Sequence, residues 1–116
     1  MERQDMFNKI RAIDDKCSNI RNEFNAIENV LNTLHYDSDE EVTEMYSEHP
    51  YTFVFDLFIR INEEFGFGLE EVYTSYLSNE TIKVENLQKM YLTLYKLLSN
   101  EYKNLLAERE TLVKLI

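Results

Sequence analysis

The sequence predicts an all-α protein, and three observations support this. Apolar residues recur with alternating steps of four and three from Met6 to Leu34, the pattern of one stripe on a long helix. A similar series runs from Val84 to Ile116. The chain of 116 residues contains only two glycines and one proline, which disfavours a fold rich in turns. We therefore expect one helical domain over residues 1–116.

The first helix is predicted over residues 2–36, with one apolar seam along its length. The seam consists of Met6, Ile10, Ile13, Cys17, Ile20, Phe24, Ile27, Leu31 and Leu34. Its flanks are mostly small or uncharged, for example Ala12, Ser18 and Asn25. A two-stranded coiled coil usually carries charged pairs there, whereas small flanks let several helices approach closely. The seam therefore indicates the inner face of a bundle rather than an isolated two-stranded coil.

A short second helix is predicted to end near Glu48. Ser38 and Glu41 have the spacing of a capping box, in which each side chain satisfies a free backbone N–H of the other residue. Acidic residues in the first turn also suit the positive end of the helix dipole.

The next helix is predicted over residues 50–65, with Pro50 at its first position, where the missing N–H costs nothing. Apolar residues occupy nearly all of its faces, so we expect it to be the most buried helix. Gly66 is suited to end it in a left-handed conformation. A third short helix is predicted over residues 69–77.

The last helix is predicted over residues 82–116, which matches the first in length. We expect these two helices, each of about 35 residues, to pack antiparallel as a stem (residues 2–36 and 82–116). The three short helices would then form a head (residues 37–81) at its other end. The far end of the stem lacks an obvious cover for Met6, Phe7, Leu112, Val113 and Ile116. A homodimer that pairs two stems would bury them.

The net charge of −10 is concentrated in the middle of the chain. Residues 22–82 contain fourteen acidic residues and one basic residue, Arg60, whereas residues 1–21 and 83–116 carry net charges of +1 and +2. This sign disfavours direct binding to nucleic acid or to anionic lipid. It favours a basic protein partner, such as a nucleic-acid-binding protein.

The acidic head is the predicted partner-binding surface. Its candidate residues are Asp37, Asp39, Glu40, Glu41, Glu44, Glu48, Glu63, Glu64, Glu70 and Glu71, together with Tyr46, because tyrosines among carboxylates are typical of binding hot spots. The leading hypothesis is a non-enzymatic inhibitor or regulator; in its sharpest version it is phage-encoded and imitates the charge spacing of a nucleic acid. Two alternatives stay open: the carboxylates only keep the protein soluble, or the chain is a coiled-coil scaffold or oligomerisation module.

The sequence predicts no catalytic residue, metal site or cofactor. The single cysteine, Cys17, excludes a disulfide within the chain and a cysteine-based metal site. His35 and His49 have no second ligand or nucleophile at a suitable spacing. The polar N-terminal residues do not resemble a signal peptide, and no apolar run approaches the roughly 18 residues of a membrane span. We therefore expect a cytoplasmic protein that does not bind membranes.

Overall fold

The computed structural model describes residues 2–116, and the fold within this range is all-helical, as predicted. Five helices follow one another: α1 (Arg3–Tyr36), α2 (Asp39–Glu48), α3 (Phe53–Phe65), α4 (Glu70–Leu77) and α5 (Val84–Leu115). The two long helices pack against each other, and the three short helices lie between them in the chain.

The long helices are antiparallel, and three polar pairs define their register. The pairs are Asp14 with Arg109, Arg21 with Tyr102, and Glu28 with Tyr95. Their polar atoms are 2.6, 3.1 and 3.5 Å apart, respectively. Each step of seven residues forward along α1 matches seven residues backward along α5. Both ends of the described chain therefore lie at the same end of the stem.

The short helices lie beside the stem, not beyond its end as the sequence suggested. The 34 residues of α1 span about 51 Å at 1.5 Å per residue, and the longest dimension of the molecule is only 57 Å. α3 contacts the side of α1, with Arg60 against Glu23 and Glu64 against Asn19. The reason is that the apolar faces of α3 need the seam of α1 for burial. The part of α1 that precedes about Lys16 extends past the end of α3, and the stem there consists of α1 and α5.

The core is centred on α3, in which six of thirteen residues are buried. Buried side chains from the three main helices include Ile20, Ile27 and Val30 of α1, Phe55, Phe58 and Ile61 of α3, and Tyr91, Leu94 and Leu98 of α5. The predicted seam is only partly covered by this core. Ile13, Cys17, Ile20, Ile27 and Leu34 are buried, whereas Met6, Ile10, Phe24 and Leu31 are half-buried.

The predicted capping of the start of α2 and the predicted end of α3 are confirmed. The Ser38 hydroxyl accepts the N–H of Glu41 at 3.1 Å, and the Glu41 carboxylate accepts the N–H of Ser38 at 3.3 Å, which forms the capping box. Gly66 ends α3 with φ of 64°, a left-handed conformation that a residue with a Cβ adopts only at a cost.

The predicted start of α3 at Pro50 is wrong, because α3 begins at Phe53. The N–H of Thr52 donates to the carbonyl of His49 at 3.2 Å, which closes a turn with Pro50 at its second position. Proline is favoured at that position because its fixed φ already fits the turn. Tyr51 consequently stands outside the helix and is 85% exposed, although the sequence pattern placed it on a buried helix.

Candidate functional site

Two of the predicted binding carboxylates stabilise the fold at α2. Glu41 belongs to the capping box. Asp39 reaches the start of α5, where one oxygen accepts the N–H of Val84 at 2.8 Å and the other lies 3.7 Å from Nζ of Lys83. Asp39 thus satisfies one of the free N–H groups that every helix start leaves unpaired. Its reversal to lysine would disturb folding as well as charge.

Glu64 also takes part in an internal network, which joins α3 to α1. Arg60 Nη1 donates to Oε1 of Glu23 at 3.2 Å, and its Nη2 lies 3.1 Å from Oε2 of that residue. Arg60 is also 3.8 Å from Glu64, which accepts a hydrogen bond from the side-chain amide of Asn19. The side chain of Glu23 is only 7% exposed. Arg60, the one basic residue of the acidic region, therefore neutralises a buried carboxylate.

Three of the predicted residues form an exposed row on α2, which we call the α2 ridge: Glu40, Glu44 and Glu48. Residues four apart on a helix lie on the same face, so the three carboxylates line up. With Thr43, Ser47 and Thr81 they border a depression of about 380 Å³. Within residues 2–116 none of the three carboxylates takes part in an ion pair or side-chain hydrogen bond.

Three further predicted residues have mixed environments. Tyr46 is half-buried, and its ring meets that of Phe55 edge-on at 4.9 Å between centroids, so it packs at the edge of the core. Asp37 is half-buried at the end of α1, where its N–H donates to the carbonyl of Leu34. Glu71 is exposed on α4.

Glu63 and Glu70 both line a cleft between α3 and α4. The cleft has a volume of about 190 Å³ and is lined by Phe58, Ile59, Asn62, Glu63, Glu70, Tyr73 and Thr74. We call this site the α3–α4 cleft. Helical spacing explains its composition, because the α3 residues lie one turn apart on one side of that helix and the α4 residues do the same. Arg60 and Glu64 lie on the side of α3 that faces α1.

Asn62 positions one carboxylate of the cleft. Although it is polar, it is only 2% exposed. Its side-chain oxygen accepts the N–H of Leu69 at 2.9 Å, and its amide nitrogen donates to Oε1 of Glu70 at 3.0 Å. Asn62 therefore fixes the turn between α3 and α4 and orients Glu70. The Glu63 carboxylate, in contrast, forms no ion pair or side-chain hydrogen bond within the described part of the chain.

The aromatic residues of the cleft pack on one another and are uncharged. The rings of Phe58 and Tyr73 stack at 5.7 Å with an angle of 10° between their planes. Phe58 also meets Tyr91 edge-on, and the hydroxyl of Tyr91 donates to the carbonyl of Val54. Burial, aided by Tyr46, Asp56 and Tyr51, raises the pKa of Tyr73 to about 12. Tyr73 is thus neutral at physiological pH, and the charge of the cleft comes from its two glutamates.

Sequence reasoning missed Glu23 and the uncharged residues of the cleft. One clue to Glu23 was present, because a lone arginine among fourteen acidic residues indicates a specific partner. Asn62 gave no such clue, since nothing in the sequence reveals that an asparagine near a helix end is buried.

No cluster of three or more histidine, cysteine, aspartate or glutamate side chains among residues 2–116 could hold a metal ion. None of the helices described for this range combines the length and apolarity needed to cross a bilayer. Comparisons with protein-family models, with curated proteins and with solved structures found no match to this chain.

Proposed function

We propose that the head binds a basic segment of another protein, without catalysis, by taking a lysine or arginine side chain into the α3–α4 cleft. The observation that supports this most strongly is that two glutamates, Glu63 and Glu70, line the same cleft as the aromatic side chain of Tyr73. A cation near an aromatic ring is attracted by the ring's negative face, and carboxylates add charge-assisted hydrogen bonds. No basic side chain of residues 2–116 lines the cleft.

The size of the cleft suits one long side chain. A volume of 190 Å³ corresponds to about six water molecules at ~30 Å³ each. The half-buried side chain of Ile59 would contact the methylene groups of a lysine or arginine, and the carboxylates would meet its charged end. Such a buried anchor is the usual centre of a binding interface.

The α2 ridge adds attraction but does not resemble duplex DNA in charge density. The ridge carries three charges over the roughly 12 Å of helix from Glu40 to Glu48, and Glu41, which belongs to the capping box, is the fourth glutamate of this stretch. Duplex DNA carries one charge per about 1.7 Å, or about seven over the same length. The comparison therefore favours a short basic protein segment over a DNA-binding groove as the partner of this head.

Charge reversal in the cleft tests the proposal. We expect Glu63→Lys to abolish salt-sensitive capture of a basic protein from a bacterial lysate, because it places a cation where the partner's cation binds. Glu71→Lys is the matched control: it makes the same change in net charge at an exposed site outside the cleft. The measurement is the set of proteins retained by each immobilised variant at low and at high salt.

Equal retention by Glu63→Lys and Glu71→Lys would contradict binding at the cleft. If the wild-type protein retains nothing basic at low salt, the proposal fails altogether. If retention is lost only when Glu40, Glu44 and Glu48 are all replaced by lysine, binding belongs to the α2 ridge instead.

An oligomerisation module without charge-based binding is the second candidate. It is favoured by exposed apolar side chains on α5, namely Leu92, Leu106 and Val113. These residues belong to a different surface from the cleft, and under this reading Glu63→Lys has no effect on any interaction.

A further inference from the structure

One face of the long helices is turned away from the short helices. It carries the pairs Asp14–Arg109, Arg21–Tyr102 and Glu28–Tyr95, and we call it the open face. Arg21 is two residues from both Asn19 and Glu23, which contact α3. Two residues turn an α-helix through about 200°, so the open face points away from α3.

An exposed apolar row on α5 borders these polar pairs. Leu92, Leu106 and Val113 are 56%, 43% and 46% exposed, and with Ser99 they recur at intervals of seven residues. Leu106 and Val113 each follow a residue of the polar pairs by four positions, which places them on the same side of the helix. A row of this spacing is what one helix presents to another.

The end of the stem extends this apolar surface. One more step of seven in the register of α1 and α5 places Phe7 opposite Ile116. They are 46% and 39% exposed, respectively, so they do not bury each other. Leu112, which the sequence also predicted to be uncovered, is only 8% exposed because it packs between the two helices. The uncovered part of the stem is therefore the open face and its end.

We propose that a second copy of this chain covers the open face, with the two chains antiparallel. A twofold axis midway between Ser99 and Leu106 brings Leu92 of each chain against Val113 of the other. The same axis brings Leu106 against Ser99, so a leucine of the row meets the smallest side chain of the row. An interface around a twofold axis requires such reciprocal pairing, and this row satisfies it.

The available area is close to what a stable dimer needs. From Leu92 to Val113 the row is about 32 Å long, and two helices side by side are about 20 Å wide, which gives roughly 640 Å². The stem end around Phe7 and Ile116 adds to this area. A standard interface buries about 800 Å² per partner, roughly a ninth of the 7471 Å² surface of one chain.

Sedimentation equilibrium of the whole chain tests the dimer. We expect wild-type protein to have twice the 13.9 kDa chain mass at micromolar concentration. The double variant Leu106→Lys with Val113→Lys should raise the dissociation constant at least tenfold, because it places cations in an apolar interface. Val72→Lys, at a 40% exposed valine of the head, is the control and should leave the dimer intact. A monomer at all concentrations, or a dimer unaffected by the double variant, would overturn the proposal.

Cross-linking tests the arrangement of the two chains independently. We expect oxidised disulfide dimers when Leu92→Cys chains are mixed with Val113→Cys chains, and none from either variant alone. Wild-type protein is the control, since its Cys17 is buried and burial raises the thiol pKa. Dimers formed by Leu92→Cys alone would indicate parallel chains and would refute the antiparallel arrangement.

Discussion

Arg60→Ala is expected to lower the free energy of unfolding by about 3 kcal/mol. The substitution leaves Glu23, whose side chain is 7% exposed, as a buried carboxylate without its cation. Removal of one partner of a buried pair costs about 3–5 kcal/mol, and the lower end applies because Arg60 itself is 50% exposed. Urea unfolding followed by circular dichroism measures the change, with the slope of the transition as a check on two-state behaviour.

Two controls separate the buried charge from general loss of contacts. Replacement of both residues, with Glu23→Met and Arg60→Met, should recover most of the lost stability, because no buried charge is then left unpaired. Lys83→Ala removes the exposed pair with Asp39 and should cost less than about 1 kcal/mol. Equal losses of stability from Arg60→Ala and Lys83→Ala would show that Arg60 does not compensate a buried charge at Glu23.

Phe58→Ala is expected to destabilise the protein by about 3–5 kcal/mol. Phe58 is 1% exposed and contacts the rings of both Tyr73 and Tyr91, so its removal leaves a cavity where α3, α4 and α5 meet. The loss is a large part of the roughly 5–15 kcal/mol that stabilises a typical domain. Thermal unfolding should show a decrease in Tm of more than ten degrees, at about 4 °C per kcal/mol.

Phe53→Ala is the matched control for Phe58→Ala. Phe53 is the same residue type on the same helix but is 50% exposed, so the substitution should change stability by less than about 1 kcal/mol. A similar loss from both substitutions would show that α3 does not bury the face assigned to it.

The sequence predicted the helices well because their signals are local. The steps of four and three residues along α1, the capping box of Ser38 and Glu41, and the left-handed Gly66 each depend on neighbours within a few positions. Pro50 was misplaced because proline suits both the second position of a turn and the first position of a helix. Only the hydrogen bond from Thr52 to His49 decides between them.

The candidate site was harder to predict because it depends on distant contacts. The sequence identified the acidic head but could not separate the carboxylates that stabilise the fold from those that are free. Asp39 contacts Val84, and Glu64 contacts Asn19; the partners in each pair are 45 positions apart in the sequence. Glu63 and Glu64 are neighbours in the sequence and carry the same charge, yet Glu63 lines the cleft and Glu64 faces α1.

An NMR titration tests most directly the proposal that the α3–α4 cleft takes a cationic side chain. We expect a short arginine-containing peptide, added to ¹⁵N-labelled protein, to shift the backbone amide signals of Glu63, Tyr73 and Thr74 in a saturable, salt-sensitive way. The same peptide with citrulline in place of arginine should cause no such shift. Signals that stay unchanged in the cleft, or that move only along the α2 ridge, would contradict binding of the cationic side chain in the cleft.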